Sequence, residues 1–423
     1  MHDNPQSTVS HQLFRLRFTE LNEIYATMSL RTLGLGLIGI FIPIFLYLNH
    51  YSIRDFMLIY LIMYVTELVF EYVSAKKIRT IGPKHLIAFS IPITIAHFWI
   101  LGTLPIYHWP LWLIGVVGGI GMALYWQPYH YDFSLSKHRR KATREVSRVY
   151  ILLALMSAMA PFLGGIIATQ FGVGWLYLIV LLILGCSIFP LLKTSEPIVP
   201  KGDFDLHKIK LKDIWRDIIS YIGNGWESTT VASFWPLFVF LIVKNYQSVG
   251  FLTSLALVIT VVTTYYVGKQ ADKRDRSKFI KTSGLASGLL NALQIFALTA
   301  SHVMMLNLGR NLADSLGNAP YTSEYYLHAD ERSRSEYLYV MESMIDIGRI
   351  FLFGSLIILS YFTTTRLVLI AALILGGVGS LLFTLMPRAQ CEICHPTENR
   401  KIRVSRHILV PSSLKSEVQH ETN

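Results

Sequence analysis

Charged residues are scarce in this sequence of 423 residues, in which Asp, Glu, Lys and Arg occupy 15% of the positions. Soluble globular proteins carry about 25% charged residues, so this chain has too few of them to cover a water-exposed surface. Hydrophobic side chains make up 52% of the chain. The composition excludes a water-soluble enzyme and indicates a protein that lies largely in a membrane.

Cysteine is also rare, because only Cys186, Cys391 and Cys394 occur. Three cysteines cannot build a disulfide framework. The run from Cys391 to His395 has the spacing of a haem attachment site and of half a zinc site, which His395 or His407 would have to complete. A chance pair of reduced cysteines explains the run more simply, so no metal site is predicted.

Several catalytic and targeting motifs are missing. The sequence has no Walker A loop, no G-x-S-x-G and no H-E-x-x-H, which argues against an ATP-driven pump, a serine hydrolase and a zinc protease. The first 28 residues are polar and have no apolar core, so no signal peptide is predicted. We expect no cofactor and no enzymatic activity.

Long apolar stretches dominate the rest of the chain. A membrane-spanning helix needs about 20 mainly apolar residues, and runs such as 176–184 do not alternate in the way that barrel strands do. Twelve stretches qualify: 29–49, 55–75, 85–104, 109–131, 146–168, 173–193, 217–243, 248–268, 279–300, 302–326, 337–361 and 366–386. The sequence therefore predicts an all-α membrane protein with twelve transmembrane helices.

Lysine and arginine are distributed very unevenly over the loops between these stretches. The termini and the loops on one side hold thirty of the 38 basic residues, and the other side holds only Arg54, Lys244 and Arg366. Loops rich in Lys and Arg stay in the cytoplasm. The net charge of +11 is thus explained by sidedness, without nucleic acid as a partner, and both termini are predicted to be cytoplasmic in a plasma (inner) membrane.

The chain divides into two halves that resemble each other. We predict an N-terminal segment 1–28, a six-helix bundle 29–193, a linker 194–216, a second bundle 217–386 and a tail 387–423. An offset of about 192 residues matches Pro43 with Pro236, residues 127–129 with 319–321, and Asp132 with Glu324. Such internal repetition is common in transporter folds.

Two loop and helix motifs resemble those of the major facilitator superfamily. The loop after the eighth stretch resembles the signature G-x-L-a-D-R-x-G-R-K at Gly268, Ala271, Asp272, Lys273 and Arg276. The first-half copy, residues 75–84, has Arg79 where the family has aspartate. In the fifth stretch, Ala160-Pro161-Phe-Leu-Gly164-Gly165 resembles a motif of exporters in the superfamily, which favours efflux slightly over uptake.

The resemblance covers residues 29–386 and implies a mechanism. Members of the superfamily have two pseudo-symmetric six-helix bundles around a central cavity and work by alternating access, in which one bundle rocks against the other. The first, fourth, seventh and tenth helices line the cavity. We therefore expect a monomer in the lipid bilayer that transports a small molecule.

Charged side chains inside the predicted spans are candidates for function. A charge near the bilayer centre is costly, so it faces the protein interior or water, and a carboxylate in a low dielectric binds protons more readily. The carboxylates of this kind, which we predict to carry protons, are Glu67, Glu71, Asp314, Glu342 and Asp346. The alternative is that they form structural ion pairs with Arg310 and Arg349.

Residues of the predicted cavity helices suit a small organic solute. They are Arg31, Tyr125, Trp126, Asn224, Trp226, Glu227, Arg310 and Asn318. Arg31 and Glu227 are expected either to hold opposite ends of a substrate or to pair as a gate. Tyr and Trp also collect at membrane interfaces, which is the alternative for Tyr129 and Tyr321. His97 is interpreted as a packed core histidine.

A cytoplasmic gate is predicted from the loop motif and from a charged pair on the fifth helix. Its candidates are Gly268, Asp272, Lys273, Arg276, Glu145 and Arg148. Ordinary solvated loop charge is the alternative for the loop members.

Two classes of function fit these observations. The first is a proton-coupled secondary transporter of a small organic solute. The second is a polytopic protein that does not transport, either a membrane sensor or a lipid-modifying enzyme that uses the buried carboxylates. A sensor would need a soluble output domain and an enzyme would need a nucleophile or a metal cluster, and the sequence shows neither.

Overall fold

The computed structural model describes residues 23, 25–136, 142–192, 196–197, 204–271 and 275–389, and it contains helices and no strands within those ranges. For residues 136, 142–145, 148 and 268 only the backbone is described. An all-helical architecture was predicted from the unbroken apolar runs, and the described part of the chain confirms it.

The long helices follow one another with short connections. They are α1 (Tyr25–Leu48), α2 (Ile53–Ile81), α3 (Pro83–Gly102), α4 (Leu111–Ser136), α5 (Ala142–Gln170), α6 (Val173–Leu191), α7 (Leu211–Val243), α8 (Tyr246–Ala271), α9 (Arg276–Leu293), α10 (Ala300–Glu331), α11 (Arg334–Ser360) and α12 (Thr365–Phe383). Ten of them are long and apolar enough to cross a membrane. The other two, α9 and α10, are more polar, so the count of twelve spans stays a prediction.

Several helices begin or end at residues other than those predicted from hydropathy. Helix α2 runs from Ile53 to Ile81 instead of 55–75, because its ends are set by local hydrogen bonds. At its start the Ser52 hydroxyl accepts from the Asp55 amide and the Asp55 carboxylate accepts from the Ser52 amide, which is a capping box. It ends at Gly82, whose φ of +94° suits glycine.

The start of α3 is capped by a residue that is distant in the sequence. The carboxylate of Glu196 accepts hydrogen bonds from the amides of Lys84 at 3.2 Å and His85 at 2.7 Å. Amides in the first turn of a helix have no partner within the helix, and a negative charge there is favourable. The stretch after α6 is therefore held against the first turn of α3.

The two halves of the chain contact each other mainly through two helix pairs. Helix α2 packs along α11, and α5 packs along α8. Within the first half α4 packs on α2 and α3, and within the second half α7 packs on α11 and α12 while α9 packs on α10. Charged groups on α2 and α11 consequently meet at a contact between the halves.

The α5–α8 pair depends on glycine at its closest approach. A Cβ atom on Gly250 would overlap the backbone oxygen of Pro161. We expect Gly250→Leu to force the helices apart and to lower stability by about 1–3 kcal/mol or more, the usual cost of overpacking. The measurement is thermal unfolding of the purified protein in detergent. Gly354→Leu is the matched control, because a Cβ atom there meets nothing within 4 Å; equal melting temperatures for the two variants would contradict the prediction.

Candidate functional site

A cavity of about 400 Å³ lies among α1, α2, α3, α4, α5, α7 and α8. Its volume falls within the range of sites for small molecules, roughly 300–1,000 Å³. Most of its wall is apolar, with Leu35, Met63 and Met122 as examples, and Arg31 and Trp126 also line it. The structure thus brings together two of the predicted cavity residues.

Arg31 is buried in this wall, with 5% of its surface exposed. Its guanidinium carbon lies 3.7 Å from the ring centroid of Tyr125, and one of its terminal nitrogens is 3.5 Å from the Thr94 hydroxyl. Its Nε atom has no hydrogen-bond partner among the described residues. Tyr125, the third predicted residue of this region, therefore acts on Arg31 through the face of its ring.

His97 also lines the cavity, although its sequence context suggested packing alone. The Nδ1 atom lies 3.0 Å from the backbone oxygen of Ile114 and donates to it, since a carbonyl oxygen only accepts. The hydrogen bond is consistent with packing, and the same side chain forms part of the cavity wall.

Three of the predicted proton carriers form one buried group between α2 and α11, which we call the carboxylate cluster. Oxygen atoms of Glu67, Glu71 and Asp346 all lie within 4.8 Å of one another, and each of the three residues is 1% exposed. Arg349 lies 3.0 Å from Asp346 and 3.8 Å from Glu67. Ser343 donates to Glu71 at 3.3 Å.

The carboxylate cluster holds more negative than positive charge. Three carboxylates face one guanidinium, and Glu67 and Asp346 each retain a buried oxygen without a hydrogen-bond partner among the described residues. Like charges at this spacing in a low dielectric repel strongly. Arg349 supplies the positive charge next to Asp346 and Glu67.

Glu342 belongs to a different network, although it shares a stripe of α11 with Asp346. It accepts a hydrogen bond of 2.7 Å from the hydroxyl of Tyr325, and its carboxylate lies 3.5 Å from the Nε2 atom of His130. His130 in turn contacts the Tyr326 hydroxyl at 2.8 Å. This network joins α4, α10 and α11.

The remaining predicted proton carrier, Asp314, lies in a triad on α7 and α10. Arg310 forms ion pairs with Asp314 and, at 3.1 Å, with Glu227. The Ser287 hydroxyl also donates to Asp314. Glu227 therefore pairs with Arg310 in the structure, and the predicted gate between Arg31 and Glu227 is not formed.

The predicted cavity residues of the second half lie apart from the 400 Å³ cavity. Asn224, Trp226, Glu227, Arg310 and Asn318 do not line it, and α7 contributes Ala232 and Ser233 instead. Ala232 lies five positions after Glu227, which is not a whole number of helical turns, so the two residues lie on different faces of α7. Trp226 instead stacks on Phe351, with ring centroids 5.7 Å apart.

Buried ion pairs fasten the end of the molecule where the basic loops lie, which we call the basic end. Arg276, a predicted gate residue, lies 3.2 Å from Glu324 on α10, and the two side chains are 4% and 1% exposed. Lys84 pairs with Glu23 at 3.3 Å. The repeat offset relates Lys84 to Arg276 and Asp132 to Glu324, and all four residues are buried.

The other gate residues and the cysteine-rich tail are less fully described. Gly268 lies in α8, and Glu145 and Arg148 lie in α5 without a description of their side chains. Asp272, Lys273 and the tail residues Cys391, Cys394, His395 and His407 lie outside the described residues. The predictions for these residues stay predictions.

Arg79 forms a contact that was not predicted from the sequence. It pairs with Glu336 of α11 at 3.2 Å, in a second polar contact between α2 and α11. The apolar stretch ended at residue 75, so the last turns of α2 were assigned to a loop. The only signal in the sequence was that Arg79 occupies the position of the first-half loop motif at which the family has an aspartate.

Aromatic side chains meet across the halves at both ends of the cavity region. Phe56, Phe234 and Phe353 form one group, with ring centroids 5.3–6.1 Å apart. Nearer the basic end, Phe133 contacts Tyr326 at 4.8 Å.

Comparison with known proteins gives a match for the fold but none for the sequence. No protein family model matches the chain, and no curated protein matches its sequence. The structure nevertheless resembles the crystal structure of FucP, a major facilitator superfamily transporter in its outward conformation, with a TM-score of 0.64 over 86% of this chain and 97% of that chain. The chain has the major facilitator fold.

The identity to FucP is only 12%, so the likeness concerns the fold alone. It confirms the resemblance that the loop motif at residues 268–276 indicated. Together with the ten apolar helices, the major facilitator fold makes the chain a multi-pass membrane protein.

Proposed function

We propose that the protein is a secondary active transporter that moves a small organic solute by alternating access. The observation that carries the proposal is the cavity of about 400 Å³ inside a chain with the major facilitator fold. Its wall is formed by helices from both halves, including α1 and α4 from the first and α7 and α8 from the second. A relative movement of the halves would therefore reshape the cavity.

We propose further that transport is coupled to protons through the carboxylate cluster. Glu67 and Glu71 are carried by α2, whereas Asp346 and Arg349 are carried by α11. Any movement of α2 against α11 changes the distance of 3.8 Å between Glu67 and Arg349, and with it the electrostatic cost of ionising the carboxylates. Binding or release of a proton would thereby favour one arrangement of the halves.

The membrane arrangement forms part of the same proposal. Helices α9 and α10 would complete twelve spans in two six-helix bundles, with both termini cytoplasmic and the basic end facing the cytoplasm of a plasma membrane. We propose a monomer without enzymatic activity or cofactor. The α5 motif still favours efflux slightly, although Gly164 and Gly165 lie against α1 and α8 and so also serve helix packing.

Counterflow in proteoliposomes tests the transport proposal. We expect flux of at least one solute from a panel of neutral, cationic and anionic organic compounds, with a response to an imposed pH gradient. Ala232 lines the cavity, so Ala232→Trp should fill it and reduce flux to the level of protein-free liposomes.

Gly354→Trp is the matched control for that variant, because its Cβ position is open. Full flux in Gly354→Trp is expected. Intact protein that moves no solute, or normal flux in Ala232→Trp, would contradict the proposal.

A further inference from the structure

Arg31 differs from the other buried arginines of the described chain. Arg276 lies 3.2 Å from Glu324, and Arg310 pairs with two carboxylates. Arg31 is equally buried, but among the described residues it forms no ion pair of the kind that Arg276 and Arg310 form, and its Nε atom has no hydrogen-bond partner. Its contacts are the Tyr125 ring and a long contact to Thr94.

A buried charge without a directly paired counter-ion is unfavourable, because burial removes its hydration. Glu67 of the carboxylate cluster acts on Arg31 electrostatically, but no ion pair within 4.0 Å joins the two residues, and the direct partner of Glu67 is Arg349, at 3.8 Å. The face of a tyrosine ring attracts a cation, yet more weakly than a carboxylate does. A direct counter-ion for Arg31 would therefore have to come from a group that enters the cavity.

The rest of the cavity wall indicates what else a molecule that binds to Arg31 must contain. Apart from Arg31 and His97, every lining side chain is apolar or an uncharged polar group such as that of Tyr60, Thr94 or Ser157. Leu35, Met63, Met122 and Trp126 supply much of the surface. One fixed positive charge and a broad apolar wall match a molecule with one anionic group and an apolar body.

We propose that this cavity binds amphipathic organic monocarboxylates, with the carboxylate on the Arg31 guanidinium and the apolar body against Met63, Met122 and Trp126. Arginine suits this role, since its planar fork binds a carboxylate through two parallel hydrogen bonds. The proposal rests on the transporter proposal and names its substrate class.

Binding to the purified protein tests the charge requirement. The probes are 3-phenylpropanoate, hexanoate and indole-3-acetate, each compared with its uncharged amide, and 3-phenylpropylamine as a cation; calorimetry in detergent gives the dissociation constants. We expect at least one carboxylate to bind about 30-fold or more tightly than its amide, since loss of one partner of a buried charge pair costs at least that factor. If no carboxylate binds more tightly than its amide, the proposal is overturned.

Variants locate the site. Arg31→Gln should weaken carboxylate binding by about 30-fold or more and leave amide binding unchanged, while Arg31→Lys should retain part of the affinity. Arg54→Gln removes a positive charge that lies outside the cavity and serves as the matched control. Unchanged carboxylate binding in Arg31→Gln would overturn the assignment, and the amide comparison on the unaltered protein decides the matter if that variant does not fold.

Flux measurements separate this proposal from the transporter proposal. Carboxylate binding that depends on Arg31, without counterflow of any solute, supports the anion site and contradicts transport. Counterflow of neutral or cationic solutes alone, unaffected in Arg31→Gln, supports transport and overturns the anion site.

Discussion

Asp346→Asn and Glu67→Gln are each expected to abolish solute accumulation driven by a pH gradient. A difference of one pH unit can sustain up to about tenfold accumulation when one proton moves with each solute. Each substitution removes one titratable oxygen from the carboxylate cluster, whose atoms lie within 4.8 Å of one another. The accumulation ratio should fall from about tenfold towards one in proteoliposomes under that gradient.

Counterflow without a gradient is the companion measurement. It needs the cavity and the movement of the halves but no net proton transfer, so both variants should retain it. Asp55→Asn is the matched control, because Asp55 is a partly exposed capping residue in the first turn of α2, three to four turns before the cluster. Unchanged pH dependence in both cluster variants would show that these carboxylates are structural ion-pair partners.

Arg310→Gln is expected to destabilise the protein by about 3–5 kcal/mol, the usual cost of removing one partner from a buried ion pair. The substitution leaves Glu227 and Asp314 without their cation, and both carboxylates compete for Arg310 in the structure. Unfolding in detergent, followed by circular dichroism with increasing denaturant, measures the loss.

A second substitution tests the cause of that loss. Arg310→Gln combined with Asp314→Asn removes one of the two negative charges that are left without a cation. The double variant should recover part of the stability, so the two effects will not be additive. Arg366→Gln, at the start of α12, serves as a surface control and should change stability by less than about 0.5 kcal/mol. Additive losses in the double variant would rule out a charge imbalance as the cause.

Much of the fold could be predicted from the sequence, because membrane spans leave a strong local signal. The apolar runs predicted the helices in order, and the loop at residues 268–276 indicated the major facilitator fold. The ends of the helices were predicted less well, since Ser52 and Gly82 set them through local backbone geometry. Helices α9 and α10 were also predicted, although they are more polar than the other ten.

The candidate site could be predicted only in part, because helical spacing relates residues on one helix and says nothing about distances between helices. Arg310 and Asp314, four residues apart on α10, were correctly expected to be neighbours. Glu342 and Asp346 were both predicted to carry protons, yet Glu342 accepts a hydrogen bond from Tyr325 of α10 and lies in a separate network. The meeting of Arg79 with Glu336 depends on how two distant helices pack, which no local pattern encodes.

Helix α7 has a π-helical segment, Thr230–Phe234, just before Pro236. A π-turn takes up one residue more than an α-turn, so the part of α7 beyond it is rotated relative to a regular helix of the same length. That rotation determines which side chains meet α10, where the indole nitrogen of Trp235 donates to Asn307 at 2.7 Å. Helix α7 therefore does not tolerate a change in length. Deletion of a single residue from the π-helical segment would rotate the part of α7 that follows it by about 100° and separate Trp235 from α10.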